Sequence, residues 1–304
     1  MYEAIIVGGG PAGMAAAVYA ARKMLKSLLI TKDIGGQVNQ TAAVENYMGY
    51  QFIQGPELMA KFEEQMRRFP IDIQTGKVVR SVSSSGKGFE VTTDQGDVYH
   101  GKAVIIATGK RSRQLNVPGE KALVGRGVTY CAICDGPLFQ QMTVAVIGGG
   151  NSALEAVNDV IKYAEQVYLV SLTPLTADSI LIEKARNAPN LTVLTEYQTL
   201  EIIGADRVQG IKVKSLKTQE AKVLAVQGVF VEIGLVPNSD LVRGLAPLNE
   251  AGEVVVNCAN ETGVPGLYAA GDVTAVPEKQ IVVAAGEGSK ALLQADRYLQ
   301  RLRS

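Results

Sequence analysis

Cys131 and Cys134 stand two residues apart, and Asp135 follows at once. A thiol pair at this spacing has two ordinary uses, reversible disulfide exchange and metal ligation. A structural zinc ion needs four Cys or His ligands. Besides the pair, the chain offers only Cys258 and His100, each alone in its neighbourhood, so no metal is expected. Disulfide exchange needs a thiolate to attack and a proton for the thiolate that leaves. Asp135 is the candidate acid/base, which makes Cys131, Cys134 and Asp135 the expected catalytic set; the order of attack by the two cysteines stays open. His100, in the polar stretch 97–100, reads as a surface residue, and Cys258 as a structural thiol.

Two glycine runs carry a second kind of chemistry. Gly8, Gly10 and Gly13 form a GxGxxG, and Gly148, Gly150 and Ala153 repeat it with the permitted Ala at the third position. Such a run gives a tight turn, room for a pyrophosphate and close helix–strand contact, with the helix N-terminus facing the phosphates. Pro11 suits a first helical turn, where its missing N–H costs nothing. With Ala12 in the first copy, and Asn151 and Ser152 in the second, these residues are the expected phosphate cradles. An acid for the ribose hydroxyls belongs about 20 residues further on. Asp33 stands there in the first copy, just beyond the expected strand end. In the second copy Ser171, Leu172 and Thr173 occupy that place, with no acid, Arg or Lys before Asp178.

These residues need strands and helices to hold them. Apolar strands at 4–7 and 144–147 precede the glycine runs, small-residue helices at about 14–26 and 154–163 follow, and strands at 27–31 and 167–170 come next. These are two βαβ openings. Further apolar strands lie at 103–109, 228–234 and 267–270, and a closing helix spans about 282–302. The stretches 87–93 and 207–225 alternate apolar and polar residues, as antiparallel meanders do. The expected fold is α/β, with two Rossmann-like, three-layer nucleotide-binding domains, one inserted in the other. The outer domain covers 1–111 and 240–304, and the inner one, carrying the CxxC, covers 112–239.

Equal counts of basic and acidic residues, 30 each, give no electrostatic reason to expect nucleic acid or an anionic membrane as partner. No signal-type h-region opens the chain, and no apolar run nears the ~20 residues that span a bilayer. Three cysteines do not make a secreted disulfide scaffold, so the cytoplasm is expected.

The glycine runs together with Gly35-Gly36-Gln37, Glu45-Asn46-Tyr47, Ala107-Thr108-Gly109, Cys131-x-x-Cys134-Asp135 and Gly271-Asp272-Val273 resemble the low-molecular-weight bacterial and archaeal thioredoxin reductases. The chain is also similar to the flavoprotein of the alkyl hydroperoxide reductase system without its N-terminal domain. The resemblance runs over essentially the whole chain. It implies FAD held by Gly8, Gly10, Gly13, Gly36, Gln37, Asn46, Gly271 and Asp272, beside Pro11, Ala12 and Asp33 of the first cradle as expected cofactor-binding residues. Ala107, Thr108 and Gly109 would close one side of the flavin site, with Gln280 approaching the ring and its neighbours Lys279 and Ile281 as further expected cofactor-binding residues. It also implies a homodimer whose inner domain rotates to present either nicotinamide or the dithiol to the flavin.

NADPH-dependent members carry a His-Arg-Arg-x-x-x-Arg run where this chain has Ser171, Leu172, Thr173 and Ala177, and the peroxide-system flavoproteins carry Glu at Ser171. A strong NADPH preference is therefore not expected, and the residues carry no affirmative NADH signal either; NADH, NADPH or a non-nucleotide donor such as ferredoxin stays open. The expected activity is electron transfer through FAD to the Cys131 and Cys134 pair. From there electrons pass to a thioredoxin, a glutaredoxin-like protein or a peroxiredoxin-system carrier. The alternatives are an FAD- and oxygen-dependent oxidase of small dithiols, and a flavin-binding sensor without turnover. A ferredoxin–NADP reductase is disfavoured because it needs no dithiol.

Overall fold

A strand that leads through a helix into a second apolar strand returns in the same direction, so the glycine-capped repeats dictate parallel pairing. The computed structural model describes residues 1–40, 44, 46–130 and 132–303. The chain divides into two compact units, residues 1–111 with 236–304, and residues 112–235.

The first unit opens with β1 (Tyr2–Gly9), α1 (Pro11–Arg22) and β2 (Ser27–Ile34), then α2 (Gly55–Arg67) and β3 (Asp72–Gln74). An antiparallel meander follows, β4 (Val79–Ser85), β5 (Gly88–Thr93) and β6 (Val98–Ile106), and its last strand lies parallel to β1. The sheet order is β3-β2-β1-β6-β5-β4. β6 starts earlier than the apolar run at 103–109 suggests, because its first half finds a partner of its own. Residues 98–101 pair with β5, and exposed His100 lies there. The half from Val104 pairs instead with a strand from the C-terminal segment. β7 (Lys110–Ser112) carries the chain out of this unit.

The second unit comprises β8 (Val128–Thr129), α3 (Ala132–Asp135), β9 (Thr143–Ile147), α4 (Asn151–Val160), β10 (Gln166–Ser171), α5 (Ser179–Arg186), β11 (Leu191–Thr195), β12 (Tyr197–Gly204), β13 (Val208–Ser215), β14 (Ala221–Leu224) and β15 (Gly228–Val231). Five of these strands form a parallel sheet in the order β11-β10-β9-β15-β8, and β12-β13-β14 form an antiparallel one. β16 (Leu235–Pro237) returns the chain and pairs with β7. β17 (Leu267–Ala269), which lies against β6, and the long helix α6 (Ile281–Arg303) complete the first unit.

Parallel strands need cover on both faces. Along β1, Ala4 and Ile6 pack with Ala16 of α1, Met66 of α2 and Leu292 of α6, while Ile5 and Val7 pack with Leu241, Val242 and Val254. Along β9, Val144 and Val146 meet Leu154 and Val157 of α4, and Ala145 and Ile147 meet Ile211 and Val213 of β13. The second unit is thus helix layer, parallel sheet and antiparallel sheet, the third layer being the meander seen in the alternation at 207–225.

Candidate functional site

In the first unit the glycines stand where side chains cannot. A Cβ on Gly8, whose φ is +111°, would lie 2.2 Å from the Ala107 carbonyl oxygen, and one on Gly13 would lie 1.8 Å from the Gly8 oxygen. Gly10 differs: it is the N-cap of α1, and no atom lies within 4 Å of its would-be Cβ. Pro11 occupies the first turn and no side chain caps the helix, so its first-turn N–H groups have no side-chain acceptor of the helix's own. Crowding beneath the turn and room above it fit the pyrophosphate of a dinucleotide. Gly36 comes up to Gly10, its would-be Cβ 3.7 Å from the Gly10 Cα. Gly271 (φ +75°) packs on Ala12, its would-be Cβ 3.1 Å from the Ala12 Cβ. Asp33 lies inside β2 rather than beyond it, because a register shift between Val7 and Gly9 lets the pairing run on to Gly9 and Ile34. Its side chain is exposed.

The other residues expected around FAD are tied to one another. Asn46 Nδ2 donates to Gln280 Oε1 at 3.0 Å, just ahead of Ile281 at the start of α6. Gln37 Nε2 donates to the Lys110 carbonyl at 2.8 Å. Thr108 and Asn238 exchange hydrogen bonds, Thr108 Oγ1 to Asn238 O at 2.7 Å and Asn238 Nδ2 to Thr108 O at 2.9 Å, while the Gly109 carbonyl accepts the Asn238 N–H. The Gly271 N–H donates to Glu287 Oε2 at 2.7 Å. Burial raises the carboxyls of Asp272 and Glu287; the charges of Lys279 and Lys110 oppose the rise at Asp272.

Glu253 joins those two lysines, with Lys110 Nζ at 2.7 Å and Lys279 Nζ at 3.3 Å. Burial works against its charge, but hydrogen bonds from Lys110 and Asn249 and both lysine charges outweigh it and hold the carboxyl at about 2. A depressed acid stabilises the fold above its unfolded value and loses that contribution as pH falls through the folded one. Glu253→Gln is therefore expected to destabilise the protein by about 1–2 kcal/mol at neutral pH, a figure discounted for solvent screening. The difference fades between about pH 4.5 and about pH 2. Urea unfolding of both proteins across that range measures it.

The second unit repeats the cradle on α4. The would-be Cβ of Gly148 (φ +144°) meets the Glu232 carbonyl oxygen at 2.1 Å and the Ala153 Cβ at 2.9 Å. Gly150 is the N-cap, without a side-chain cap, ahead of Asn151 and Ser152. Buried Ser171 fills the space beneath Gly149, as Thr31 does beneath Gly9. The segment after β10 then folds back onto the turn. The N–H groups of Thr176 and Ala177 donate to the Gly149 carbonyl at 2.8 and 3.2 Å. Asn151 Oδ1 accepts the Asp178 N–H at 2.8 Å, and Asn151 Nδ2 donates to Asp178 Oδ2 at 3.0 Å. The acid missing from the end of β10 thus arrives at the glycine turn from seven residues further on.

Cys131 lies outside the described residues, as does Glu45; Cys134 is placed by its backbone in α3. Asp135 ends α3 and accepts a hydrogen bond from the Thr129 hydroxyl. Glu120, fully buried, anchors the approach to the pair. It accepts the Leu115 and Asn116 N–H groups at 2.8 and 2.6 Å, and the Tyr130 hydroxyl at 2.9 Å. Behind α3, a Cβ on Gly136 would collide with the Tyr163 hydroxyl at 1.7 Å. Glu232, at the end of β15, accepts the N–H of Ala132 with its carboxylate.

Residues 2–288 match the pyridine nucleotide-disulphide oxidoreductase family. The chain belongs to that family. It is 44% identical over 305 residues to one of the subunits of alkyl hydroperoxide reductase in Pseudomonas putida, covering 99% of this chain and 58% of that protein. It therefore spans about three-fifths of the length of this curated relative. Among solved structures, the thioredoxin reductase of Lactococcus lactis superposes with a TM-score of 0.83 at 34% identity, covering 99% of this chain and all of that one. The thioredoxin reductase of T. acidophilum superposes at 0.80 and 36%, covering 99% of each chain.

Reading the sequence missed Lys110, Glu253 and Glu287 in the first unit, and Glu120 and Glu232 in the second. Glu232 alone carried a signal, as a charge inside the apolar run 228–234. Cys258, expected as a structural thiol, is exposed, since it sits on a turn outside the core. Among the described residues no three His, Cys, Asp or Glu side chains converge as metal ligands, and no helix is long and apolar enough to cross a membrane.

Proposed function

We propose that this chain is an FAD-dependent disulfide reductase of the thioredoxin reductase type. Residues 1–111 and 236–304 hold FAD, and residues 112–235 carry both a pyridine nucleotide site and the dithiol. The observation that carries this reading is the second unit itself, in which a glycine cradle and the short helix bearing Cys134 and Asp135 accompany one parallel sheet. Bound FAD supplies two-electron exchange between the nucleotide and the cysteine pair. The reduced pair then acts by thiol chemistry. One thiolate attacks the partner disulfide and expels a partner thiolate, leaving a mixed disulfide. The second cysteine attacks that bond, closing Cys131 to Cys134 and releasing the partner as a dithiol. Asp135, held by Thr129, delivers the proton to a leaving thiolate. The partner is a thioredoxin-like protein or a peroxiredoxin carrier.

NADH is the preferred donor. A 2′-phosphate needs cations, and residues 171–178 offer none; Asp178 instead brings a carboxylate to the turn. Anaerobic bleaching of the flavin by each nucleotide tests this. NADH is expected to exceed NADPH in kcat/KM by on the order of a hundredfold. Equal rates, or faster reduction by NADPH, overturn the preference. Bleaching by neither makes the second cradle a relic and moves the search to ferredoxins and small dithiols.

A further inference from the structure

Glu232 follows β15 in the run Gly228-Val229-Phe230-Val231-Glu232-Ile233-Gly234, with only apolar residues and glycine around it in sequence. Its N–H donates to the Ile147 carbonyl at 2.8 Å, and its own carbonyl oxygen stands where a Cβ on Gly148 would go. Its carboxylate accepts the N–H of Ala132, the residue between Cys131 and Ile133. One residue thus touches the second glycine turn with its main chain and the cysteine helix with its side chain. Nothing in the thiol chemistry above uses it.

We infer that Glu232 is a positioning residue for the dithiol, holding the start of α3 through the Ala132 N–H and setting with its charge how readily Cys131 and Cys134 ionise. The inference rests on reading that pair as a redox dithiol. Burial lifts the Glu232 carboxyl to about 7; the Ala132 N–H opposes the rise and the Glu155 carboxylate on α4 adds to it. The flanking strands β8 and β9 carry no titratable side chain. Around them, α3 bears Asp135, engaged by Thr129; the end of α4 is followed by Tyr163, whose hydroxyl lies against Gly136; and β13 bears Lys212 and Lys214. A group that ionises near neutrality changes charge in the range where thiols begin to do so, and a carboxylate beside a thiol disfavours the thiolate. As pH rises through about 7, Glu232 becomes charged and pushes ionisation of the pair upward. Below that pH the carboxyl is neutral and the restraint is lifted.

Glu232→Gln separates the two roles, because the amide oxygen still accepts the Ala132 N–H while the charge is gone. The experiment uses the FAD-loaded chain, reduced with a phosphine and desalted. Iodoacetamide alkylation of Cys131 and Cys134 is followed by mass spectrometry from about pH 5.5 to about 9. The native protein is expected to give a profile with an added inflection near neutrality. The Gln variant is expected to lose that inflection and to be alkylated about threefold or more faster at about pH 7.5. Glu155→Gln, at an exposed position, leaves the Glu232–Ala132 bond intact and is expected to move the inflection to lower pH. It carries the test should Glu232→Gln lose flavin or melt early. Profiles that superimpose across the native protein and both variants overturn the inference. A failure of the underlying reading looks different: the two cysteines would be alkylated equally before and after phosphine treatment, with no disulfide to reduce.

Discussion

Serine at either Cys131 or Cys134 leaves a folded, flavin-loaded protein that reduces protein disulfides on the order of a thousandfold more slowly than the native chain. The size of the loss follows from the chemistry. A hydroxyl at neutral pH is neither a nucleophile toward sulfur nor able to close a disulfide, so either substitution removes a bond the cycle must make. Retention of flavin follows from placement. The cysteines belong to residues 112–235, whereas Gly8, Gly10, Gly13, Asn46 and Asp272 all belong to the other unit. Turnover with a thioredoxin-like substrate, read beside the flavin absorbance of the same sample, measures both halves. Normal turnover in either variant would falsify the relay. The two variants also settle the order of attack: only the one that keeps the attacking cysteine accumulates a mixed disulfide with the partner.

The second large effect comes from two neighbouring glycines with opposite surroundings. Alanine at Gly13 drives its methyl to 1.8 Å from the Gly8 carbonyl oxygen, so the turn itself must break. A misfolded or strongly destabilised chain is expected, at a cost of about 3 kcal/mol or more. Alanine at Gly10 meets nothing within 4 Å, and its φ of −78° suits any L-residue. The fold of that variant is expected to survive, with the methyl standing in the open space where the proposed FAD pyrophosphate would lie. FAD affinity then falls on the order of a hundredfold while the melting temperature of the apoprotein stays unchanged. Fluorescence titration of both apoproteins with FAD, together with thermal melts, distinguishes a phosphate cradle from a turn that serves only packing.

The sequence was most informative where main-chain geometry leaves few choices. Gly8, Gly13 and Gly148 announced turns because only glycine fits against a carbonyl oxygen, and the repeated strand–glycine–helix order gave the parallel sheets before any contact was known. It was least informative where a group gains its meaning from residues far away in the chain. Glu253 reads as an ordinary surface acid until Lys110 and Lys279 are brought to it, and Glu287 as an ordinary helix residue until Gly271 donates to it. Asp178 shows the intermediate case. Its type was visible and its distance from the strand end looked wrong, because the fold-back of Thr176 and Ala177 onto Gly149 cannot be read from periodicity. Strand ends blurred for a related reason: a register shift in β1 and a change of partner along β6 each extended an element beyond its apolar run.

The insertion of one unit between the two halves of the other along the chain sets an order of events during synthesis. Every strand and helix of the inner unit lies within residues 112–235, so it can close as soon as that stretch leaves the ribosome. The outer unit must wait. Its first helix, with Ala16, Ala17 and Ala20 fully buried at the end, is covered by α6, whose Gly288 stands where a Cβ would be 1.9 Å from the Ala12 oxygen. Contacts that join the two ends of a chain are slow to form and leave apolar surface open until they do. A nascent chain halted shortly after β16 therefore carries a finished inner unit joined to an outer unit that cannot yet close, and α1 is covered only after α6 has been made.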